Sequence, residues 1–388
     1  MDALTHGIDP VALTRIVRHA CGHPAMTLVS WQVQPVAYAN VSRDSRGLYR
    51  VFGRAQAEDQ TLPWSVILKL FNAPEAQTMD DPAQPFYWRR EALAYRSQLL
   101  HPADHALDLA APRCWAVDDR AERQIWLWLE DLSDADDRPW SFERYGLAAR
   151  HLGRFQGAYL TQPALPAHRW LSRGLIRAWI QDSAGLVGRM EQPDVSNHPL
   201  LRGCFAASIV SAALRLWAER ERWFAALEAL PQTLCHHDFW RNNLFARRDP
   251  DGRERTIAID WEVMGLGAAG EDLGNLLGVS LLNFDLPADH ATYLADMLVQ
   301  QYLAGLAEAG WRGDPQAIRV ACAAAAALRC VFSTAGWPIA IVQNERRYVA
   351  ETEQRWGRPI EQIFEQWAAV SSFLLAQVAQ ERHVLGPC

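Results

Sequence analysis

Lysine is almost absent from this 388-residue chain: Lys and Arg together number 38, and Lys69 is the single lysine among them. A composition that writes its cations as arginine everywhere else needs a chemical reason for that one exception. A guanidinium is a broad planar fork, whereas an ammonium is a compact point charge that fits between anionic oxygens and a carboxylate. Paired cysteines are missing too. The 7 cysteines are scattered without a Cys-x-x-Cys spacing, which argues against a disulfide framework and a zinc site. No uninterrupted run of about 18 apolar residues suggests a membrane span. The N-terminus lacks the long apolar stretch of a signal peptide, so a cytoplasmic location is the expectation. An excess of positive charge is lacking as well, and a net charge of −7 disfavours nucleic acid as a partner.

What is present is the composition of a globular protein, 49% hydrophobic and 21% charged, long enough for more than one domain. The segment 262–388 holds 14 acids against 8 bases. That balance would suit a cationic substrate, although solvated helix faces produce the same count.

Apolar and β-branched residues recur between turn signals at 26–36, 47–54 and 64–71, predicting three antiparallel strands with Lys69 inside the third. Asp9-Pro10 opens a helix reaching about Ala20. A second helix is predicted over 86–100, where Glu91 shares a face with Tyr87 and Tyr95. Two more strands follow at 112–117 and 124–129, and the polar stretch 133–139 is the best boundary. Beyond it the spacing turns helical at 141–160, 168–190, 200–229, 288–309, 314–332 and 359–384, with Gly153, Gly157 and Ala158 suited to close packing. The predicted class is α+β in two lobes. Residues 1–131 supply a five-stranded antiparallel sheet with one key helix, and residues 132–388 are mainly helical.

The chemistry concentrates in one stretch, LCHHDFWRNNLF, then the turn ARRDPDGRER, then TIAIDWEVMGLGAAGEDLGNLL. Asp249-Pro250-Asp251-Gly252 between apolar runs reads as a β-hairpin. A register symmetric about the point between Asp251 and Gly252 sets Asn243 opposite Asp260, with Cα atoms about 4.5–5.5 Å apart. An amide oxygen and a carboxylate so placed would reach one hard cation, for which Mg²⁺ is the natural occupant. A slip by one residue would offer Asn242 instead. Asp238, preceded by His236, completes what phosphoryl transfer requires: a carboxylate to accept the hydroxyl proton and two oxygen ligands for the metal.

The pattern His236-x-Asp238-x4-Asn243, followed by Ile259-Asp260-Trp261-Glu262, a glycine-rich turn and Asp272-Leu273, resembles the aminoglycoside phosphotransferase and choline-kinase-like family, small-molecule relatives of protein kinases. The resemblance implies a bilobal protein-kinase-like fold, ATP and Mg²⁺ as cofactors, and transfer of the γ-phosphoryl group to a hydroxyl of a small molecule. That acceptor could be an aminoglycoside, an amino alcohol or another hydroxylated metabolite. By the same resemblance Lys69 pairs with Glu91 on the phosphates, while Ser42, Ser45 and Gly47 line the phosphate-covering turn without a full glycine pattern. Leu129 and Glu130 form the hinge facing adenine, and Asp272 ties the glycine-rich turn to the catalytic loop. His236 serves as a hydrogen-bonding scaffold, and His237 stands where the family often has glycine. Arg241 would reach the transferring phosphoryl group, because Trp240 occupies the position where protein kinases place a lysine.

Trp240, Trp261, Trp311, Trp337, Trp356 and Trp367 would form either a cation–π box or ordinary core. Two competing readings remain. His236-His237-Asp238 would serve an HD-type phosphohydrolase if carried on helices, and a catalytically silent kinase-like protein would bind nucleotide or a partner without transfer. Against the second, the set Lys69, Glu91, Asp238, Asn243 and Asp260 is complete. Nucleotidyl transfer on the same fold is also open.

Overall fold

Asp9 starts the first helix as a carboxylate cap: it accepts the Val11 and Ala12 N–H groups at 3.0 and 3.3 Å, with Pro10 in the first turn. This helix, α1 (Pro10–Cys21), ends on Gly22 in the left-handed region at φ 69°. The computed structural model describes residues 7–36, 47–75, 80–100, 108–121, 123–135, 139–192, 198–343 and 346–386. Ser42 and Ser45 lie outside them.

Strands β1 (Thr27–Pro35), β2 (Gly47–Ala57), β3 (Gln60–Asn72), β5 (Cys114–Arg120) and β6 (Gln124–Glu130) form one antiparallel sheet in the order β1-β2-β3-β6-β5. A two-residue strand, β4 (Leu109–Ala110), lies between them in sequence but pairs elsewhere. Alternation along β3 decides where the lysine points. Val66 and Leu68 pack with Leu13, Ile16 and Val17 of α1 on one face. Phe71, with Leu127 and Leu129 of β6, packs on the other face against Tyr87, Trp88 and Ala92. Lys69 has the parity of Phe71 and therefore faces the second helix, α2 (Arg90–Arg96).

That helix is shorter than the predicted 86–100, and a buried arginine explains why. The Arg90 guanidinium is fully buried and donates to the carbonyls of Gln84, Pro85 and Trp170, each at 2.6 Å. The chain before Arg90 wraps around this side chain instead of winding. At the other end the Ser97 hydroxyl donates to Ala94 O at 2.7 Å and accepts the Leu99 N–H at 3.2 Å, which competes with another helical turn.

Helices then dominate: α3 (Phe142–Leu160), α4 (Leu175–Ile180), α5 (Ala184–Met190), α6 (Pro199–Arg202), α7 (Ala207–Ala229), α8 (Glu271–Leu282), α9 (Ala291–Glu308), α10 (Pro315–Gln343), α11 (Arg346–Trp356) and α12 (Ile360–Gln380). Ser141 caps α3 by accepting the Arg144 N–H at 3.2 Å. The predicted single helix 168–190 is broken, because β7 (Ser172–Arg173) pairs in parallel with β11 (Gly265–Ala268). β11 also runs antiparallel to β8 (Gln232–Cys235), while β9 (Leu244–Arg248) and β10 (Glu254–Ala258) form the hairpin with β4 at its side.

Helix α10 passes the length and composition test for crossing a membrane, but 78% of its most apolar window is buried in the protein, so it is the central core helix. Gly153 lets α3 and α9 meet closely: a Cβ there would stand 2.2 Å from the Tyr302 carbonyl oxygen. Trp261, Trp311, Trp337, Trp356 and Trp367 settle in or against the core. Trp337 and Trp356 pack on Trp367 at 5.5 and 6.0 Å between ring centres, and Trp261 is 1% exposed.

Candidate active site

The hairpin register differs from the expected one by one residue. Arg248 pairs with Glu254 and Leu244 with Ala258, which centres the hairpin on Asp251 and sets Asn243 across from Ile259 rather than Asp260. The Ile259 N–H donates to Asn243 O at 2.9 Å. The cause is a three-residue loop. Asp249 N–H donates to Arg253 O and Gly252 N–H to Asp249 O, each at 2.9 Å, with Gly252 at φ 82°. Asp260 reaches the site by another device: it takes the left-handed conformation at φ 65° just past β10 and starts the tight turn Trp261–Val263.

There it meets the solitary lysine. Lys69 Nζ is 2.5 Å from Asp260 Oδ1 and 2.5 Å from Glu91 Oε2, with the lysine side chain 13% exposed. The strand-to-helix ion pair is the predicted one, and Asp260 extends it into a three-way link between the sheet and the hairpin. Ligand atoms of Glu91, Asp260 and Glu262 lie within 4.8 Å of one another. Glu262 is a candidate that the sequence reading passed over, although it stands only two residues beyond Asp260.

The second cluster surrounds Asp238. Its Oδ2 accepts from Asn243 Nδ2 at 2.7 Å and Trp240 Nε1 at 3.2 Å, and its Oδ1 accepts from Arg329 Nη2 at 2.6 Å. Arg329, from α10, also donates to His237 O at 3.1 Å and lies 3.8 Å from the ring centre of Trp179. It was missed. The available signal was that Arg329 is the single charged residue between Val320 and Gln343.

The loop carrying Asp238 is fixed from behind. His236 Nδ1 accepts the Asp238 N–H at 3.1 Å while Nε2 donates to Ile259 O at 2.8 Å, so both ring nitrogens serve the backbone. This is the scaffold role expected. It also removes the metal-ligand role that an HD-type hydrolase needs, and the His-His-Asp triplet lies in a loop rather than on helices. Asp272, fully buried, accepts the His237 and His236 N–H groups at 2.6 and 2.8 Å and Gln156 Nε2 at 2.8 Å. Gln156 Oε1 in turn accepts from Tyr302 OH at 2.5 Å.

Arg241 corrects another expectation. It is 2% exposed, donates to Leu244 O at 2.9 Å and Asp134 Oδ2 at 2.8 Å, and sits 4.0 Å from the ring centre of Trp140. A guanidinium held this way stitches the loop to residues after the sheet and is not aimed at a phosphoryl group. At the expected hinge, Leu129 pairs with Ile67 and Cys114. Glu130 donates its N–H to Arg113 O at 2.9 Å, and its carboxylate pairs with Arg247 Nη2 at 2.8 Å. The Glu130 N–H is therefore committed to the sheet and not to a base. Gly47 begins β2 opposite Leu70.

Behind the loop, His237 Nδ1 and Glu271 Oε2 face each other at 3.7 Å. Burial pushes the His237 imidazole down to about 3, helped by the Arg329 charge, so the ring is neutral. Burial likewise pushes the Glu271 carboxyl up to about 7, against the Ala268 N–H it accepts.

Comparison with known proteins agrees with this architecture. Residues 207–310, which hold the hairpin and both acids Asp238 and Asp260, match the ecdysteroid kinase-like family model. No curated protein matches the sequence. Among solved structures, an aminoglycoside phosphotransferase from Alicyclobacillus acidocaldarius is 17% identical with a TM-score of 0.50, covering 90% of this chain and 92% of its own. A microcompartment-associated aminopropanol kinase is 15% identical at 0.49, covering 94% and 97%. The amicoumacin kinase hAmiN, solved with AMP-PNP, Ca²⁺ and Ami, is 14% identical at 0.48, covering 86% and 91%. Taken with the antiparallel five-stranded sheet and the largely helical remainder, the first of these matches gives the chain the protein-kinase-like fold of the small-molecule kinases.

Proposed function

We propose that this chain is an ATP- and Mg²⁺-dependent phosphotransferase acting on a hydroxyl of a small molecule. The observation that carries the reading is the pair of clusters joined through one hairpin: Lys69 between Glu91 and Asp260, which follows β10, and Asp238 held by Asn243 just before β9. The donor set fits the metal. Asp260 and Glu262, with ligand atoms within 4.8 Å of each other and of Glu91, offer carboxylate oxygens, which suit a hard divalent cation and not a thiophilic one, while Glu91 stays with Lys69. The Asn243 amide nitrogen is directed at Asp238, so its contribution to a metal would come from Oδ1. Bound there, Mg²⁺ would neutralise phosphate charge.

In this reading Lys69 moves from Asp260 to the phosphates while Glu91 holds its orientation, since one ammonium has three donors to share. Asp238 receives the proton as the acceptor oxygen bonds to the γ-phosphorus and the bond to the bridging oxygen breaks, releasing ADP. Asn243 and Trp240 hold Asp238 Oδ2, which fixes the carboxylate plane, and Asp272 fixes the loop through two backbone N–H groups.

The test begins with thermal shift in the presence of ATP, ATP with Mg²⁺, and neither. Transfer of ³²P from labelled ATP to a panel of hydroxylated metabolites, amino alcohols and aminoglycosides follows, with Asp238→Asn as control. Mg²⁺-dependent stabilisation and transfer lost in the variant support the reading. Retention of transfer by Asp238→Asn would remove that residue from its role.

A further inference from the structure

Behind Asp238 lies a small cavity of about 20 Å³ lined by Leu175, Ile176, His237, Glu271, Asn275 and Arg329, among others. That is room for one water-sized group. Its walls are unusual in what they leave unmet. Asn275 is 3% exposed, and neither its Oδ1 nor its Nδ2 has a hydrogen-bond partner among the described residues. His237 is 6% exposed, and its Nε2 is in the same condition. Buried polar atoms without partners are costly to keep, and three around one cavity mark a place built to receive a hydrogen-bonding group.

The chain goes to some length to put these walls there. His237 adopts the left-handed backbone at φ 65°, which a β-carbon disfavours. Gly267 opposite must lack a side chain, because a Cβ there would stand 2.7 Å from His237 Cε1 and 3.1 Å from the Glu271 carboxyl. The cavity also adjoins the Asp238 cluster. Arg329 is both part of its wall and the donor to Asp238 Oδ1, and His237 adjoins Asp238 in sequence.

From this we infer that the cavity formed by His237, Glu271, Asn275 and Arg329 is an acceptor subsite for a second hydroxyl of the substrate, one adjacent to the hydroxyl that is phosphorylated. The inference rests on the phosphotransferase reading and sharpens it to vicinal diols and polyols. A hydroxyl both donates and accepts, which satisfies the Asn275 oxygen and nitrogen together, and it is small enough for the space. An ammonium is the poorer match. The Arg329 charge forms one wall, the three N–H groups already on Asp272 offset its carboxylate, and burial drives Glu271 toward its neutral form.

The test uses the full chain with Mg²⁺ and γ-³²P-ATP on two matched series: cyclohexanol, trans-cyclohexane-1,2-diol and trans-2-aminocyclohexanol; then 2-deoxy-D-glucose, D-glucose and D-glucosamine. The expected result is a kcat/KM for the member with the added hydroxyl, the cyclohexanediol or D-glucose, about ten- to a hundredfold above the member that lacks it in at least one series. That preference collapses in Asn275→Leu, which fills the cavity with an apolar group. Asn275→Ala, with the same readout, replaces it if the leucine variant fails to show a cooperative melt. Equal rates for the diol and mono-alcohol, preference for the amino alcohol, or a preference that survives both variants would overturn the subsite. So would transfer to no member by a protein that Mg²⁺ and ATP stabilise. Absence of that stabilisation would instead strike the phosphotransferase reading itself, so the two failures are separable.

Discussion

The two charged clusters of the site use the same elements in opposite proportion. Around Lys69 one cation stands between two acids, Glu91 and Asp260, each at 2.5 Å. Around Asp238 one acid stands among three donors, Asn243, Trp240 and Arg329. The first arrangement gives one charge a choice of two partners, which would suit the proposed turn of Lys69 toward incoming phosphates. The second has a fixed carboxylate, which suits a group that must hold its plane while it receives a proton. If this contrast is functional, lesions in the two clusters give different signatures.

The largest effect is expected from Asp238→Asn: kcat falls by about 10²–10⁴-fold, while Mg²⁺ and ATP still raise the melting temperature. Comparable loss of ATP stabilisation in this variant would blur the distinction. Lys69→Ala should cost about 10²–10³-fold in kcat/KM for ATP, and it should abolish most of the nucleotide-induced thermal shift. Next comes Asp272→Ala, which strips the partner from the His236 and His237 N–H groups and from Gln156. Denaturant unfolding should show a loss of about 2–4 kcal/mol, with activity falling because the loop carrying Asp238 loses its anchor.

The smallest effect is one of pH. The folded Glu271 carboxyl is raised from 4.5 to about 7, so the folded state binds its proton more tightly than the unfolded chain does. Its stabilising contribution is full below about pH 4.5 and is lost as pH rises through 7. His237, lowered from 6.5 to about 3, works in the other direction and loses stability as pH falls from 6.5 toward 3. Between pH 4.5 and 6.5 the two contributions oppose each other, so Glu271→Gln should unmask the His237 term alone, a melting temperature that falls as pH drops from 6.5 toward 4.5. An unchanged pH profile in that variant would contradict the assigned burial of the carboxyl.

Legibility in the sequence followed the range of the interactions. The sheet was readable because apolar and β-branched runs are local signals, as are the marks that end the first helix, Asp9 and Gly22, and the turn residues Asp249 to Gly252 of the hairpin. Lys69 was readable because one lysine stood alone in an arginine-rich chain, and the family resemblance supplied Glu91 as its partner. The hairpin register failed by one residue, since loop length and not composition decides it, and a three-residue loop closed by Gly252 centres the hairpin on Asp251. Asp260 still met Lys69 because a left-handed residue re-aimed its side chain, an outcome that no strand periodicity announces. Arg241 was misread because its buried partners, Asp134 and Trp140, lie about a hundred residues away in sequence. Arg329 escaped for the same reason, lying 91 residues beyond the acid it holds.

Thermal stabilisation by ATP with Mg²⁺, measured side by side in the native chain, Lys69→Ala and Asp238→Asn, tests the division between the clusters most directly. The account predicts a metal-dependent upward shift in the native chain and in Asp238→Asn, and little or none in Lys69→Ala. A shift of equal size in the lysine variant, or none in the native chain, would contradict it.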